Sequence, residues 1–276
     1  MKNKKIMTIT LVLLGLLVIV FIIGKINSSF QFKNKVAELF AQSNNISGKI
    51  FKYEQLSGLP EPVQRYFRYV LKDGQPFISY VRLTHDGQFR AGLNKDFTNI
   101  EGEQYFTTEK PGFIWKGTTS MFTARDMYVA DKGRLIVTLF SLYNVVDGNG
   151  ENFNEGELQR WLGESVWFPT NLLPNERNQW SPIDANSAKL SFRYRNVSFS
   201  YIVIFNEVGE ITQMETQRFL GEEKREAWLC KMADYKEING VIVPMKAEAI
   251  WKLEKGEVSY AKFNVKKIEY DTAEKF

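Results

Sequence analysis

The sequence predicts a mainly β protein with some α-helix: a large curved antiparallel sheet (half-barrel) with helices in its concavity, behind one N-terminal transmembrane helix. Three observations lead to this fold class. From residue 77 onward, short runs of alternating apolar and polar residues follow one another, as in strands with one buried face. One helical stretch near residues 155–173 interrupts these runs, and a long uncharged apolar run opens the chain.

The opening run predicts a membrane anchor. Residues 6–24 carry no charge, and as a helix these 19 residues would extend about 28 Å, close to the thickness of the bilayer hydrocarbon. A cleavable signal peptide has a shorter apolar region of about 7–15 residues, so we expect the segment to be retained. The Lys2, Lys4 and Lys5 cluster predicts a single-pass protein of the cell membrane, with a cytoplasmic N-terminus and an extracytoplasmic main domain.

The remaining chain is expected to form one domain. We assign residues 1–24 to the cytoplasmic tip and transmembrane anchor, and residues 25–50 to a juxtamembrane linker with a short helix near 33–42. Residues 51–276 form a single half-barrel domain with a helical insert near 155–173. At 276 residues and 44% hydrophobic content, the chain can bury a substantial core.

Within that domain the patterns predict one early helix and ten or eleven strands. Residues 59–71 have apolar side chains at helical spacing, with Pro62 suited to the first turn. The clearest strand is 241–253, where one face is apolar and the other mostly polar. Because proline cannot donate to a sheet ladder, Pro244 should lie at an edge or a bulge.

Composition excludes several classes of function. The net charge is +4, but without Lys2, Lys4 and Lys5 the chain has 33 basic and 32 acidic residues, so no nucleic-acid partner is expected. The single cysteine, Cys230, forbids an intrachain disulfide and is expected to be a small buried hydrophobe. One histidine and one cysteine cannot make a zinc site, and no metal or cofactor is predicted.

The helical stretch carries the most suggestive charges. Glu157, Arg160 and Glu164 fall along one stripe of a helix, with the two carboxylates about 10.5 Å apart along the axis. A glycosidase pair needs no more than about 9.5 Å, so this chemistry is disfavoured. The stripe is interpreted as a structural ion-pair face, with a polar patch of a ligand site or a catalytic pair as the alternatives.

The lone histidine and a polar loop are the other candidates. His85 shares a strand face with apolar neighbours, which predicts a core or pocket-lining side chain. Any mechanism that needs histidine must use it, but no nucleophile-elbow motif accompanies it. Residues 147–158 resemble a calcium loop superficially, but Asn152 and Leu158 replace the required Gly and Glu, so we expect a polar loop.

The order of motifs resembles a known family. LPEPVQRYF, RLTHDGQFR, KPGFIW, GELQRWLGESVWFPTNLL and GVIVPMKAEAIW resemble segments of an uncharacterised bacterial membrane-anchored family that carries a domain of unknown function. The resemblance covers about residues 55–270, and the block 156–173 is its most specific part. It implies a fold similar to the bacterial lipoprotein-carrier half-barrel and implies no activity. Trp161 stands where a tyrosine would be expected.

Three hypotheses of function follow. The leading one is a membrane-anchored extracytoplasmic domain that binds a lipid or another apolar or amphipathic ligand. The alternatives are a scaffold with a filled core that binds an envelope protein, and a hydrolase using His85 and Glu164. No catalytic residue is assigned, and the hypothesis that the protein is an enzyme is not favoured. The predicted ligand-binding residues are His85, Trp115, Arg160, Trp161, Glu164, Trp167 and Trp251.

Overall fold

The structure, a computed structural model, describes residues 2–140, 142–221 and 224–276. Its central feature is one antiparallel sheet of 13 strands in the order β6-β5-β4-β3-β2-β1-β13-β12-β11-β10-β9-β8-β7. The strands are β1 Tyr80–Phe89, β2 Thr98–Thr107, β3 Gly112–Thr118, β4 Phe122–Val129, β5 Lys132–Leu139, β6 Tyr143–Asn149, β7 Asn178–Asp184, β8 Ser187–Tyr194, β9 Val197–Phe205, β10 Ile211–Leu220, β11 Lys224–Ile238, β12 Val241–Leu253 and β13 Gly256–Tyr270. Chain neighbours pair as hairpins within β1–β6 and within β7–β13, and β1 pairs with β13 to join the two halves.

Among the described residues, three α-helices accompany the sheet: α1 Lys2–Ala41, α2 Glu61–Val70 and α3 Glu151–Gly163. Short 3₁₀ turns cover Tyr53–Leu56, Glu164–Trp167 and Pro169–Leu172. The predicted fold class, a curved antiparallel sheet with helices in its concavity behind an apolar N-terminal helix, is confirmed.

The concave side of the sheet holds α2, α3 and the turns after α3. α2 buries Val63, Phe67 and Val70 in the main core, as its helical spacing predicts. α3 lies between the two arms of the half-barrel. It touches β4 and β5 on one arm and β10 on the other, which is possible because the sheet curls around it.

Two ties fix α3 between the arms. On one side, the Gly133 amide of β5 donates to the Asn154 side chain at 2.7 Å. On the other, Arg225 of β11 pairs with Glu155 at 2.5 Å. Gly133 is needed for this approach, since a Cβ there would lie 2.3 Å from the main-chain oxygen of Phe153. The helix therefore acts as a strut across the half-barrel.

The convex side carries a second, smaller core under the C-terminal end of α1. Four side chains of this helix are buried there against the outer faces of β1 to β5. The ten members of this convex cluster are Phe32, Val36, Leu39, Phe40, Tyr80, Tyr105, Ile114, Met127, Val129 and Ile136. Residues 25–50 were expected to be a juxtamembrane linker with a short helix near 33–42; residues 25–41 are instead the end of one continuous helix.

The N-terminal part of α1 is long and apolar enough to span a membrane. Its most apolar window has a mean hydropathy of 3.2, and none of that window is buried against the rest of the protein. Among the described residues, it is the one helix that meets this criterion.

The strand count exceeds the expected ten or eleven. The two additional strands are β6 and β7, which form the two edges of the sheet. Residues 147–158, expected to be a polar loop, contain the end of β6 and most of α3. Pro244 lies in β12 opposite Tyr235 of β11, before the pairing with β13 begins at Lys246, so it faces a single partner strand.

Candidate functional site

Arg160 of α3 is the centre of a charged cluster on the concave side. Its Nη1 donates to Asp126 Oδ2 of β4 at 2.5 Å, and its Nε donates to Glu164 Oε1 at 2.9 Å. Gln104 of β2 donates to the other Glu164 oxygen at 2.6 Å. Burial raises the pKa of Glu164 and the Arg160 guanidinium opposes that effect. The guanidinium thus bridges a helix, a turn and a strand in a nearly dry environment.

A second guanidinium completes the cluster. Arg218 of β10 donates to Glu157 Oε1 at 3.2 Å, and the Glu157 side chain is 4% exposed. Burial and the neighbouring Asp126 carboxylate raise the pKa of Glu157 well above its ordinary value, against the effect of Arg218 and Arg160. Two guanidiniums and three carboxyls are electrically balanced if Glu157 keeps its proton.

The hydrogen-bond pattern agrees with a protonated Glu157. Within the described part of the chain, Asp126 Oδ1 and Glu157 Oε2 are buried without a donor. A hydrogen bond with the Asp126 side chain is one of the causes that raise the pKa of Glu157. A proton on Glu157 supplies this pair of carboxyls with a donor, which two ionised carboxylates lack.

An aromatic wall lies beside this cluster on the concave face. We use this name for Phe89, Trp115, Trp228, Trp251, Tyr260 and Phe263. Ring centres of Phe89 lie 6.3 Å from Trp115 and 6.2 Å from Tyr260, and Trp251 stacks on Tyr260 at 6.4 Å. The rings of Phe89, Tyr260 and Phe263 are half-buried, so the wall reaches solvent.

The guanidinium groups of Arg160 and Arg218 each lie close to one tryptophan ring of the aromatic wall. Arg160 lies 5.0 Å from the Trp115 ring centre, and Arg218 lies 4.9 Å from that of Trp228. Trp228 Nε1 donates to the Tyr260 hydroxyl at 2.9 Å, so its polar atom is satisfied. The arrangement combines apolar area with buried positive charge, the combination that an amphipathic anion requires.

His85 is held as a neutral side chain at the base of the wall. Its Nε2 accepts a hydrogen bond from Trp115 Nε1 at 2.8 Å, and the ring centre of Phe263 lies 4.0 Å from that of the imidazole. Burial lowers the pKa of His85 to about 4, an effect that the Asp86 carbonyl partly offsets and Arg160 reinforces. The ring lies over Gly102, where a Cβ would be 2.1 Å from Nε2.

This geometry bears on the hydrolase hypothesis, which requires a carboxylate within hydrogen-bond reach of His85. The partners found for the ring nitrogens among the described residues are Trp115 and the Asp86 carbonyl, at 2.8 and 3.3 Å. The Asp86 carboxylate pairs with Lys266 instead. His85 therefore lies at the base of the wall, and among the described residues no carboxylate is hydrogen-bonded to its ring, although one would be expected of a general base oriented by a carboxylate.

Of the residues predicted to bind a ligand, His85, Trp115, Arg160, Glu164 and Trp251 lie at the wall or the charged cluster. The other two, Trp161 and Trp167, lie in the main core at 1% exposure. Trp161 Nε1 donates to the Thr107 carbonyl at 2.9 Å, and Trp167 Nε1 donates to the Pro244 carbonyl at 3.0 Å. The ligand role of all seven residues stays a prediction.

Sequence reasoning missed Asp126 and Arg218, although a signal for each was present. Asp126 alternates with Ala124 and Tyr128, and Arg218 follows Met214 by four residues, so each charge falls on the apolar face of its strand. A charge on an apolar face needs a partner across the core.

The open grooves found among the described residues lie away from the aromatic wall and the charged cluster. Two open grooves of about 480 and 490 Å³ lie elsewhere, the first over β7–β9 and the second beside α2, and neither is lined by any of the predicted ligand-binding residues. Among the described residues, no group of three or more His, Cys, Asp or Glu side chains is arranged to hold a metal ion.

Comparison with known proteins gives a family and two similar shapes. The model of a family described as of unknown function, DUF6544, matches residues 49–263, which confirms the resemblance noted in the sequence. A search of curated protein sequences finds no match. A LolA superfamily protein from Nitrosomonas europaea is 10% identical with a TM-score of 0.37, over 76% of this chain and 92% of that one. A putative outer membrane lipoprotein-sorting protein domain from Vibrio parahaemolyticus is 10% identical with a TM-score of 0.41, over 80% and 92%. At this identity the likenesses say nothing of ligand or activity.

Proposed function

The chain belongs to the DUF6544 family of unknown function, and we propose that it is a membrane-anchored protein that binds an amphipathic, lipid-like ligand with an acidic head group. The aromatic wall takes the apolar part, and Arg160 and Arg218 attract the head. One observation carries the proposal: half-buried rings and two nearly buried guanidiniums meet on one concave surface.

The wall has the composition of a ligand surface. Rings such as Phe89 and Tyr260 offer rigid apolar area at small entropic cost, and their exposed edges lose contact with water when a ligand covers them. Three rings of the wall, those of Phe89, Tyr260 and Phe263, are partly exposed, and neighbouring exposed apolar side chains often mark a binding site.

The charged cluster would recognise the polar head group of the ligand. Arg160 and Arg218 are already paired with carboxyls, so an incoming anion would compete for them. Its raised pKa favours a proton on Glu157, and with that proton the cluster beside both guanidiniums carries no surplus of negative charge. An acidic head group therefore meets less repulsion than three ionised carboxylates would cause.

The membrane attachment and its orientation belong to the same proposal. We infer that α1 is retained as a single-pass anchor, because its C-terminal end is buried in the convex cluster and continues the apolar segment without a break. The basic cluster before the apolar segment, with Lys4 and Lys5, favours a cytoplasmic N-terminus and an extracytoplasmic domain.

Native mass spectrometry of the full chain, released from membranes in mild detergent, tests the ligand proposal. We expect a one-to-one complex with an acidic amphiphile, and we expect Phe89→Glu to lose it because a carboxylate would replace a wall ring. Phe199→Glu is the matched control, since Phe199 is also a half-buried strand residue but packs on Phe192 and Tyr201. Equal ligand occupancy in both variants, with both still folded, would contradict the proposal.

A second function has its own support. The concave side is filled at Leu158, Trp161, Leu162 and Trp167, each at most 1% exposed. A filled interior favours a scaffold that binds an envelope protein on its outer surface. Ligand-free wild-type protein in the same experiment, together with capture of an envelope protein by crosslinking in cells, would favour the scaffold.

A further inference from the structure

Helix α1 runs alongside β3 in the opposite direction, and two contacts define their relative position. The Lys116 ammonium lies 4.5 Å from the Phe32 ring centre. Seven residues later, Leu39 packs on Gly112, where a Cβ would lie 2.7 Å from a Leu39 methyl carbon. The helix then ends at Ala41 beside the turn between β2 and β3. Toward its N-terminus, α1 therefore leaves the domain past the turn between β3 and β4.

The lengths of the two elements place that turn at the end of the apolar segment. From Phe32 back to Lys25 the helix rises about 10 Å. From Lys116 forward to Thr119 the strand also rises about 10 Å. Lys25 is the first charge after the uncharged run, and its ammonium lies 4.9 Å from the Phe21 ring centre. The β3–β4 turn thus lies level with the membrane boundary that the helix defines.

Exposed apolar side chains are concentrated at this level. Met121 lies in the β3–β4 turn, and Phe140, Leu142 and Tyr143 lie at the neighbouring β5–β6 turn, with exposures between 49% and 71%. The Phe140 amide donates to the Met121 carbonyl at 3.0 Å, which joins the two turns into one surface. We call these four residues the paired hairpin tips.

We propose that the paired hairpin tips insert into the head-group region of the same bilayer that α1 spans. This inference rests on the anchor proposed above. Apolar side chains with a tyrosine beside them suit the boundary between head groups and acyl chains, where an aromatic ring can keep its hydroxyl in water. The helix passes the β3–β4 turn, and the β5–β6 turn lies about two strands further along the sheet, so helix and tips together fix the tilt of the domain.

The orientation has a consequence for the aromatic wall. β1 ends at Phe89 at the same end of the sheet, because Phe89 pairs with Thr98 and the following Glu101 of β2 pairs with Thr118 of β3. With the tips in the bilayer, the half-exposed ring of Phe89 faces the lipid. An amphiphile would then reach the wall from the membrane without crossing water.

Site-specific quenching in nanodiscs tests the insertion. The full chain carries an environment-sensitive fluorophore at Leu142→Cys, and the bilayer is phosphatidylcholine and phosphatidylglycerol brominated on the upper acyl chain. The control is Val208→Cys, another highly exposed apolar residue, in the β9–β10 turn at the opposite end of the sheet. Cys230 is buried, and its pKa is raised by burial, so it resists labelling.

We expect brominated lipid to quench the label at Leu142 by roughly twofold and to leave Val208 unquenched. Met121→Cys should repeat the result, which guards against a local effect of the first substitution. Equal weak quenching at all three positions, in protein that resists carbonate extraction, would overturn the insertion and leave the anchor standing. Extraction of the wild type by carbonate would overturn the anchor, and the insertion with it.

Discussion

The two faces of the sheet are buried by different means. On the convex face, α1 covers Tyr105 and Ile114 with Phe32, Val36 and other apolar side chains. On the concave face, α3 brings guanidiniums and carboxyls into the core itself. Apolar contacts tolerate substitution of similar volume, whereas a buried charge depends on one particular partner. The packing of the convex face therefore depends on volume, and that of the concave face on particular charged partners.

The largest expected loss of stability comes from removing a buried charge on the concave side. Arg160→Met would leave Asp126 and Glu164 without their main counter-charge, and we expect the free energy of unfolding to fall by about 3–5 kcal/mol. Urea denaturation of the full chain in micelles, followed by tryptophan fluorescence, measures it. Arg134→Met is the matched control: its pair with Asp147, at 2.7 Å, falls between the two Arg160 pairs in length but is exposed, so the expected loss is below about 1 kcal/mol. Similar losses in the two variants would show that the cluster is not effectively buried.

The next effect tests the convex side. Leu39→Ala removes a buried side chain from the convex cluster, and we expect a loss of about 2–3 kcal/mol in the docking of α1. Because α1 touches the domain along one stripe, the loss should act locally. Hydrogen exchange of the amides in residues 30–41 should accelerate by roughly 30-fold, with the sheet unaffected. Phe30→Ala, on the exposed side of the same helix, should change nothing; acceleration there would mean that α1 is held on more than one face.

The smallest expected effect is a difference between the two faces in how stability depends on pH. Glu103, on the convex side, is partly buried, which acts to raise its pKa, but hydrogen bonds from Lys116 and Tyr105 lower it overall. Its contribution to stability is therefore present above the ordinary glutamate pKa and is lost as pH falls below it. Glu157 has a raised pKa, so the folded state retains a proton and stability falls as pH rises from the ordinary range toward the raised value.

Melting temperatures across pH measure the two slopes. Glu157→Gln should flatten the decline toward higher pH, and Glu103→Gln should flatten the decline toward acid. Opposite slopes of melting temperature against pH would confirm that the two faces shift the pKa of a carboxyl in opposite directions. If Glu157→Gln keeps the wild-type profile, the shared proton in the concave cluster is absent.

The sequence predicted most of the strands, and the two it missed have a common cause. β6 and β7 are the edges of the sheet, where neither face is fully buried. Tyr143–Asn149 is mostly exposed along its length, and Asn178–Asp184 contains Pro182 and has a largely exposed second half. Alternation of apolar and polar residues reflects a buried face, so edge strands without one give no period-two signal.

The candidate site was predicted in part for a related reason. Arg160 and Glu164 lie four residues apart on one helix, and local spacing was enough to pair them. Arg160 and Asp126 are 34 residues apart, and Glu157 and Arg218 are 61 apart. The stretch was expected to be a helix with one apolar and one polar side. It is buried on both sides because the arms of the sheet close around it.

By itself, the sequence determined the apolar N-terminal helix, the succession of antiparallel strands, the helical insert and the resemblance to the family. Each of these is encoded in residues that are neighbours along the chain, through hydrophobic period and length. The tertiary structure alone decided that α1 docks on the convex face, that Asp126 and Arg218 complete the charged cluster, and that the aromatic wall forms. These features depend on the register and curvature of 13 strands, which bring together side chains that no local pattern connects.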